Sequence, residues 1–516
     1  MNTILLEGFV NPNTNLTAVL PEMIVAITGT LVMLYDSFVP KQRYVTGAIS
    51  LVGLAISAFV LYTLWGNGAD VPANAWGGMI ANDNLRLSFS FVAIFVTALT
   101  ILISTVWTER EDVPIGEYHS LLMFGTVGML FMASGNDLVI LFLGLETLSI
   151  ATYVMAGLRK GDLRSNESAM KYFILGAFST GFLLYGMALI YGATGTTNIT
   201  EIAAAVANPN FPALLLIGAA MLIIGFGFKA AIVPFHVWTP DVYEGAPTPI
   251  TGFMAAGPKA SALAAFMRMF VLGFPLIAGA AASEALHETW ITALTIMAML
   301  TMTVGNFAAI VQNNVKRMLA YSSIAHAGYA LVGFIGAGVA LNAAKRDSAI
   351  ASVAFYMLTY AVTNLGAFAI VTLLAQKNDR RTEFEDYNGI GFRSPVLSFA
   401  LSLFMLSLVG LPLTAGFMGK VLVFRPALEA GNTLLTILVV VAVVNTAISA
   451  YYYLRLIVVM FFRDRSTDWL APRISMPLAA ALIITILGVF YFGIFSDPII
   501  ERFSQSPQTA IVKAEK

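Results

Sequence analysis

Long apolar segments follow one another along the whole chain, and they constrain its fold more than any other feature. A helix of roughly 18 to 25 apolar residues crosses a hydrocarbon core about 30 Å thick, because each residue adds about 1.5 Å. The 516-residue sequence contains 14 such runs. Their predicted boundaries are 17–39, 44–66, 87–107, 117–134, 136–157, 172–192, 211–233, 247–272, 289–311, 318–340, 348–375, 394–424, 431–462 and 475–497. The sequence therefore predicts an all-α polytopic membrane protein with 14 transmembrane helices.

Composition and charge exclude several other classes of protein. Only 11% of the residues are charged and 58% are hydrophobic, whereas soluble domains are about a quarter charged. A soluble body of this size is therefore excluded. The net charge of −1 argues against a nucleic-acid partner, since phosphates are neutralised by clustered Lys and Arg. With no Cys and four scattered His, we expect no disulfide, iron–sulfur, haem or metal site, and no cofactor bound by this chain.

Basic residues are divided unevenly between the two sets of alternate loops, and this division predicts the orientation. Cytoplasmic loops carry the excess of Lys and Arg. Of the 28 Lys and Arg residues, 16 fall in one loop set, seven in the other and five within spans. The poorer set contains both chain ends, so both termini are predicted to face away from the cytoplasm. The first residues, MNTILLEGFVNPNTN, do not resemble a signal peptide.

Two predicted spans contain helix breakers close to a lysine. In the seventh, GFGFKAAIVPFHVW, Pro234 follows Lys229 by five residues, and in the twelfth, LSLVGLPLTAGFMGK, Gly410 and Pro412 precede Lys420. Proline removes a helix hydrogen bond, and non-helical backbone persists at membrane depth only inside protein or beside a hydrated cavity. Paired interruptions at corresponding positions are typical of inverted repeats in transporters. The sequence therefore predicts two inverted five-helix repeats, each with a broken helix.

These repeats divide the chain into four predicted parts. The order of spans and breakers carries this prediction, because identity between the halves is not visible. The parts are an N-terminal three-helix segment at 1–116, a first repeat of spans 4–8 at 117–272, a second repeat of spans 9–13 at 289–462, and a C-terminal helix and tail at 463–516.

Three lysines and one carboxylate lie inside apolar spans: Lys229, Lys259, Lys420 and Glu146. A charge at the bilayer centre costs about 2.5–3.5 kcal/mol, so retained charges usually face a partner or a water path. Each lysine can be helix glue, bound to a carbonyl or carboxylate, or can extend to the interface. We favour a proton relay, since burial disfavours the charged form of a lysine and a nearby carboxylate favours it. Glu146 can thus pair with Lys229 and keep it protonated until the pair opens, unless it is only a hydrogen-bonded structural carboxylate.

Two histidines are further candidates. His326, in AYSSIAHAGYAL, is either a hydrogen-bonded interior histidine or a relay between Lys259 and Lys420. His236 follows the first break directly, where the mouth of a cavity is expected.

Ionisable residues near the span ends have other predicted roles. Glu22, Arg268 and Arg455 are predicted to be anchors or interface residues. Asp241 and Glu244, in TPDVYEGAPTPI, are predicted to be loop residues that gather protons at the cytoplasmic mouth.

Residues 225–268, GFGFKAAIVPFHVWTPDVYEGAPTPITGFMAAGPKASALAAFMR, resemble the antiporter-like membrane subunits of respiratory complex I, the proton-translocating NADH-quinone oxidoreductase. Those subunits share a broken seventh helix with a lysine, a Pro-Phe-His-x-Trp-x-Pro-Asp turn and an ionisable group in the eighth helix. Two other stretches agree, VKRMLAYSSIAHAGYAL at 315–331 and LPLTAGFMGK at 411–420, and the likeness covers essentially the whole chain. Larger members and Mrp-type antiporters carry His-Ala or His-Ser where this chain has Pro258-Lys259.

The resemblance implies an ordered proton path. Glu146 and Lys229 would be the coupled pair under the cytoplasmic half-channel, Lys259 the central relay, His326 a bridging group and Lys420 the residue before the periplasmic exit. Electrons would pass from NADH through FMN and iron–sulfur clusters to quinone in partner subunits. The implied partners are an antiporter-like neighbour, small membrane subunits and lipid, and the implied location is a bacterial inner (cytoplasmic) membrane.

Three other functions stay open on the sequence. A subunit of an Mrp-type sodium/proton antiporter is opposed by Lys259 in place of histidine and by the lack of an obvious sodium-binding carboxylate cluster. A related photosynthetic complex that takes electrons from ferredoxin is barely distinguished by this chain. A scaffold with a vestigial channel is opposed by the retained ionisable positions.

Overall fold

The computed structural model describes residues 15–40, 42–66, 74–464 and 473–505. Outside the helices of these ranges lies one small hairpin, in which β1 (Asn74–Ala75) pairs antiparallel with β2 (Ile80–Ala81). The α-helices are α1 (Leu16–Phe38), α2 (Arg43–Gly66), α3 (Asn84–Glu111), α4 (Ile115–Ser134), α5 (Leu138–Ala156), α6 (Leu163–Thr194), α7 (Ile199–Ala205), α8 (Pro212–Ala230), α9 (Thr239–Gly245), α10 (Thr248–Met267), α11 (Ala281–Ile310), α12 (Val315–Gly338), α13 (Ala343–Leu374), α14 (Pro395–Val409), α15 (Ala415–Glu429), α16 (Thr433–Phe462), α17 (Met476–Ile494) and α18 (Asp497–Ser504). The segment considered for a signal peptide and the end of the predicted tail lie outside the described residues.

Eleven of these helices are long and apolar enough to cross a membrane, judged by length and composition. They are α1, α2, α3, α5, α6, α8, α11, α12, α13, α16 and α17. Helices α4 and α10, with 20 residues each, are less apolar, and α14 and α15 have only 15 residues each because a break separates them. The chain is therefore an all-helical polytopic membrane protein, while the count of 14 crossings stays a prediction.

Both helix breaks occur where the sequence predicts them. Helix α8 ends at Ala230, and Ala231 adopts a left-handed conformation before the chain passes Pro234 and starts α9. Helix α14 ends at Val409, and Gly410, at a φ of 96°, turns the chain towards α15. A glycine suits this position because a Cβ atom disfavours such a φ.

Helices α10 and α13 form the centre of the molecule. Every residue of α10 is buried, and so is every residue of α13 from Ala349 to Leu374. Helices α3, α10, α12 and α15 pack against α13. Small residues in α10 permit this close packing, since a Cβ at Gly257 would lie 2.8 Å from the sulfur of Met129. Helix α10, which carries Lys259, therefore lies inside the protein.

One buried carboxylate, Asp379, binds residues from several alternate loops and helix ends at one face of the molecule. Its carboxylate oxygens lie 3.6 Å from Arg110 in the last turn of α3, 3.2 Å from Arg159 after α5 and 3.1 Å from Lys316 at the start of α12. The backbone N–H of Thr248, the first residue of α10, donates to the same carboxylate. We call this side the Asp379 face.

The opposite side, the Arg268 face, is linked by a second ion pair. Arg268, after α10, donates to both oxygens of Asp83 before α3, at 2.7 and 2.9 Å. Its Nη2 also donates to the carbonyl of Ala133 at the end of α4. Loops that alternate along the chain thus meet at opposite ends of the helices.

Two equivalent backbone links join loops in the two halves of the chain. In each half, the junction between two consecutive helices exchanges a pair of hydrogen bonds with a later loop. The donor and acceptor pairs are Leu138 N to Thr197 O, Ile199 N to Asn136 O, Val315 N to Thr382 O and Phe384 N to Asn313 O. The first link lies at the Arg268 face and the second at the Asp379 face.

The span-end residues differ partly from their predicted roles. Glu22 is not an interface residue, because it is 1% exposed and its carboxylate lies 2.9 Å from the fully buried guanidinium of Arg86. The predicted boundary of the third span, 87–107, leaves Arg86 in a loop, but α3 begins at Asn84 and contains it. Arg455 fits an anchor, since it donates to the carbonyls of Ile310 and Gln312.

Candidate proton path

The predicted relay residues occupy interior positions on five different helices. Lys229, Lys259 and Lys420 are only 3%, 2% and 4% exposed, on α8, α10 and α15. His326, on α12, is 5% exposed. Glu146, on α5, is half-buried. Charged or chargeable groups are rarely this buried unless they are paired or functional.

Lys229 is held by neutral polar groups at the broken end of α8. Its Nζ donates to the hydroxyl of Ser149 at 2.8 Å and to that of Tyr172 at 3.3 Å. The ring centroids of Tyr153 and Tyr172 lie 5.4 and 5.1 Å from Nζ, within cation–π range. Because Lys229 is in the last turn of α8, the helix dipole also favours a cation there.

Glu146 has a different partner in this conformation. Its Oε1 accepts a hydrogen bond from the hydroxyl of Thr180 at 2.7 Å. Among the residues that the structure describes, no carboxylate forms an ion pair with Lys229. A cavity of about 10 Å³, lined by Ser149, Ser179, Thr180 and Lys229 among others, has room for about one water molecule. The predicted Glu146–Lys229 ion pair is therefore not formed here, and Thr180 and Ser149 bind the two side chains instead.

Lys259 lies at the centre of the buried helices and bonds to one hydroxyl. Its Nζ donates to Ser323 Oγ at 2.7 Å, and the ring of Tyr243 lies 5.6 Å from Nζ. Ser323 in turn donates to the carbonyl of Ala320. No ion pair to Lys259 is found in the described part of the chain.

His326 connects two tyrosines with its two ring nitrogens. Nδ1 lies 2.6 Å from the hydroxyl of Tyr356 and Nε2 lies 3.2 Å from that of Tyr453. The hydroxyl of Tyr453 is also bonded to Ser322. A neutral imidazole donates through one nitrogen and accepts through the other, so this arrangement can pass a proton between the two tyrosines.

Lys420 is bound by carbonyl groups that the second helix break sets free. Its Nζ donates to the carbonyls of Leu408 and Val409 at 3.0 and 2.8 Å. These carbonyls end α14, where the break at Gly410 leaves them without helical partners. The ring centroid of Tyr329 lies 4.8 Å from Nζ. The break therefore forms the binding site of this lysine.

His236 is not joined to the other predicted relay residues. It lies in the segment between α8 and α9 and is half-buried. In the described residues, its side chain makes no hydrogen bond with Lys229, Lys259, His326 or Lys420, and Nδ1 is buried without a hydrogen-bond partner.

The predicted proton-gathering carboxylates are held in ion pairs. Asp241 and Glu244 lie on helix α9, so their assignment to a loop was wrong. Asp241 accepts from Lys171 and Arg317, each at 2.7 Å, and Glu244 accepts from Arg317 at 2.8 Å. Burial raises the pKa of Asp241, but these two cations outweigh burial and lower its pKa. A carboxylate held ionised is a poor proton acceptor. Asp241, Glu244 and Ser168 line a cleft of about 190 Å³.

The sequence reasoning missed most of the groups that hold the relay residues. Ser149 and Ser323 lie three residues from Glu146 and His326 on the same helix faces, a spacing that marks neighbours on a helix. Tyr172, Tyr356 and Tyr453 come from other helices, so no local pattern connects them to their partners.

Comparison with known proteins places the chain in a family. Residues 135–449 match the family described as NADH:quinone oxidoreductase/Mrp antiporter, TM. A curated relative, NADH-quinone oxidoreductase subunit N from Trichlorobacter lovleyi, is 43% identical over 497 residues, which are 95% of this chain and 97% of the relative.

Two solved structures share the fold. A chain of respiratory complex I from Thermus thermophilus with bound aureothin has a TM-score of 0.75 at 33% identity, covering 93% of this chain and 98% of that chain. A chain of the Mrp complex from Dietzia has a TM-score of 0.80 at 18% identity, covering 95% and 97%, a likeness that concerns the fold alone. The chain therefore belongs to the NADH:quinone oxidoreductase/Mrp antiporter membrane family and, within it, to the NADH-quinone oxidoreductase subunit N proteins.

Proposed function

We propose that this chain is a proton-translocating, antiporter-like membrane subunit of an NADH-quinone oxidoreductase, in which quinone reduction elsewhere drives proton transfer. The full-length similarity to a subunit N supports this assignment. The observation that carries the mechanism is the set of three buried lysines bound by hydroxyls, rings and carbonyls rather than by carboxylates. Such a lysine can lose or gain a proton without leaving a buried carboxylate unpaired.

The proposed path begins at Glu146 and Lys229. When Glu146 leaves Thr180 and approaches Lys229, the carboxylate favours protonated Lys229, and when it returns, the proton can move on. The hydroxyl of Ser149 and the small cavity beside it supply the hydrogen-bonded connection. Thr180 thus acts as the alternative partner that keeps the pair open.

The second half of the path leads from Lys259 to Lys420. Lys259 reaches α12 through Ser323, one turn from His326 on the same helix. His326 then links Tyr356 and Tyr453. Lys420 receives the proton at the second break, where two carbonyls stabilise its charged form. His236 is at most an accessory at the first break.

We further propose 14 crossings, two inverted five-helix repeats divided as in the sequence prediction, and both termini on the periplasmic side of a bacterial inner membrane. The alternation of loops between the Asp379 face and the Arg268 face supports the crossings. The two equivalent backbone links at opposite faces support the inversion. Other membrane-arm subunits and lipid would cover the sides, and partner subunits would hold NADH, FMN, iron–sulfur clusters and quinone.

The test is Lys229→Ala in the assembled complex, with Lys345→Ala as a control for an exposed lysine. Quinone reduction and proton pumping are measured together in sealed vesicles. We expect Lys229→Ala to pump much more slowly and Lys345→Ala to pump at the normal rate. Pumping and quinone reduction at unchanged rates in Lys229→Ala would contradict the proposed relay.

Sodium/proton antiport is the rival function. The fold shared with the Mrp complex is compatible with both functions, whereas the closer full-length relatives favour the oxidoreductase. If flavin and iron–sulfur absorbance do not co-purify with the native chain, the antiporter becomes the better assignment.

A further inference from the structure

We propose that the buried pair of Lys316 and Asp379 is a second proton-uptake site, which supplies Lys259 directly and is separate from the path through Glu146 and Lys229. The inference rests on the proposed function, because it adds a relay residue to the same proton transfer. Neither residue is among the predicted relay residues.

Lys316 is as buried as the proposed relay lysines but, unlike them, is paired with a carboxylate. Arg110 and Arg159 also bind that carboxylate, so it stays paired when Lys316 loses its proton. Lys316 is 1% exposed at the start of α12. Its Nζ lies 3.1 Å from Asp379 Oδ2 and donates to the carbonyl of Ala246 at 2.6 Å. Asp379, 3% exposed, lies in the segment between α13 and α14, at the face that the proposed topology turns to the cytoplasm.

Lys316 is the one cation beside Asp379 in the described residues that can release a proton. The other two, Arg110 and Arg159, are arginines, which stay protonated in proteins, whereas a lysine can lose its proton. Burial raises the pKa of Asp379, but Lys316 and Arg159 outweigh burial and hold its pKa below the usual range. Asp379 therefore stays ionised as a counter-ion, and Lys316 is the group that exchanges protons.

The face of α12 that carries Lys316 leads to Lys259. Lys316 and Ser323 are seven residues apart, so they share one face of the helix and are separated by about 10 Å along its axis. Ser323 is the hydrogen-bond partner of Lys259. A proton leaving Lys316 along this face therefore arrives at the central lysine without passing Lys229.

Two buried polar groups without a protein hydrogen-bond partner lie on helices that pack against α12. They are the Thr239 hydroxyl on α9 and the Asn364 amide nitrogen on α13, on side chains at most 1% exposed. Buried polar groups are nearly always hydrogen-bonded, and ordered water supplies the bond where protein does not. A short file of water molecules would satisfy these groups and connect Lys316 with Lys259.

The proposed transfer balances in protons. The ammonium group of Lys316 gives one proton to the first water, and a proton leaves the last water for the neutral amine of Lys259. Neutral Lys316 then takes one proton from the cytoplasmic side, with Asp379 ionised throughout.

A structural role for Lys316, as a clamp between loops, is the alternative, and Lys316→Arg separates the two roles. Arginine keeps the positive charge beside Asp379 but does not release a proton. Lys377→Arg is the matched control, since Lys377 is an exposed lysine at the same face. The assay is NADH-driven proton pumping by the assembled complex in sealed vesicles, with the amount of assembled complex measured in parallel.

We expect Lys316→Arg to assemble and to lose the share of pumping that enters through Lys316, roughly a twofold decrease if the two uptake sites supply Lys259 at similar rates, while Lys377→Arg pumps normally. Normal pumping by Lys316→Arg, with much slower pumping in Lys229→Ala, overturns this inference and leaves the proposed function intact. Normal pumping by both Lys316→Arg and Lys229→Ala overturns the proposed function. If Lys316→Arg does not assemble, Asn364→Leu is used as the test instead. This substitution removes one water-binding group from the proposed path and leaves Asp379 unchanged. Pumping at the normal rate by that variant overturns the inference.

Discussion

The second helix break is predicted to position Lys420, and Gly410→Ala tests this role. Gly410 has a φ of 96°, and a side chain in the left-handed region costs roughly 1–2 kcal/mol. A Cβ there would lie 3.4 Å from Cδ and 3.7 Å from Nζ of Lys420. The added methyl group and the relaxed backbone would move the carbonyls of Leu408 and Val409 relative to that lysine.

The expected effect on transport follows from the hydrogen bonds. A hydrogen bond to a charged group contributes about 1.5–3 kcal/mol. Weakening one of the two carbonyl bonds therefore disfavours protonated Lys420 and slows transfer through it by roughly tenfold or more. The assay is proton pumping by the assembled complex, together with the midpoint of its thermal inactivation.

Gly431→Ala is the matched control for this experiment. Gly431 also has a positive φ, 66°, but nothing lies within 4 Å of a Cβ placed on it. We expect both variants to lose stability and only Gly410→Ala to lose pumping. Equal loss of pumping in the two variants would refute the reasoning that the break holds Lys420.

Three further predictions concern the surroundings of the path. Glu22→Ala leaves buried Arg86 without its carboxylate, and we expect a loss of about 3–5 kcal/mol in the free energy of unfolding, measured as reduced thermal stability. Tyr356→Phe removes the hydroxyl at 2.6 Å from His326, so pumping is expected to fall about tenfold or more, while the complex still assembles. The pKa of Asp241 is lowered in the folded protein, so its ion pairs are intact above the usual carboxyl pKa of about 4 and are lost as the pH falls through the lowered value. The protection factors of the α9 amides, which correct hydrogen exchange for its intrinsic pH dependence, are expected to be unchanged from neutral pH down to about 4.

Controls for these predictions are available in the chain. Arg425→Ala breaks an exposed pair with Glu429 and should cost no more than about 1 kcal/mol; a similar cost for Glu22→Ala would contradict its buried role. Tyr321 lies on the same helix as His326 but forms no hydrogen bond with it, so Tyr321→Phe should pump normally. If Tyr356→Phe pumps equally well, the Tyr356 hydroxyl has no role in proton transfer. Lower protection factors in α9 at pH about 5 than at neutral pH would contradict the lowered pKa of Asp241.

The sequence predicts the breaks and the buried lysines because their signals are local. Pro234 and Gly410 interrupt apolar runs, and a lysine inside such a run is visible without any structure. The sequence does not show that Glu146 binds Thr180 instead of Lys229, because Thr180 lies on another helix and only the packing of the two helices brings it to the carboxylate. Helix α9 was assigned to a loop, although Pro240 in its first turn is a common start of a helix.

Long-range partners account for most of what the sequence did not predict. Arg86 lies directly before an apolar run and was therefore assigned to a loop, and only the folded chain places it against Glu22. Tyr356 and Tyr453 lie 30 and 127 residues from His326, too far for any helical spacing to relate them. Chemistry-bearing residues are thus readable from the sequence, whereas the hydrogen bonds that connect them are set by helix packing.

The most direct test of the proton path is Lys259→Met, because both halves of the path meet at Lys259. Assembled complexes with this substitution, and with Lys345→Met as the control, are placed in sealed vesicles, and the protons moved are measured against the quinone reduced. The account predicts that Lys259→Met assembles but loses pumping, whereas Lys345→Met keeps both rates. Proton pumping and quinone reduction at normal rates by Lys259→Met would contradict a path through the buried lysines.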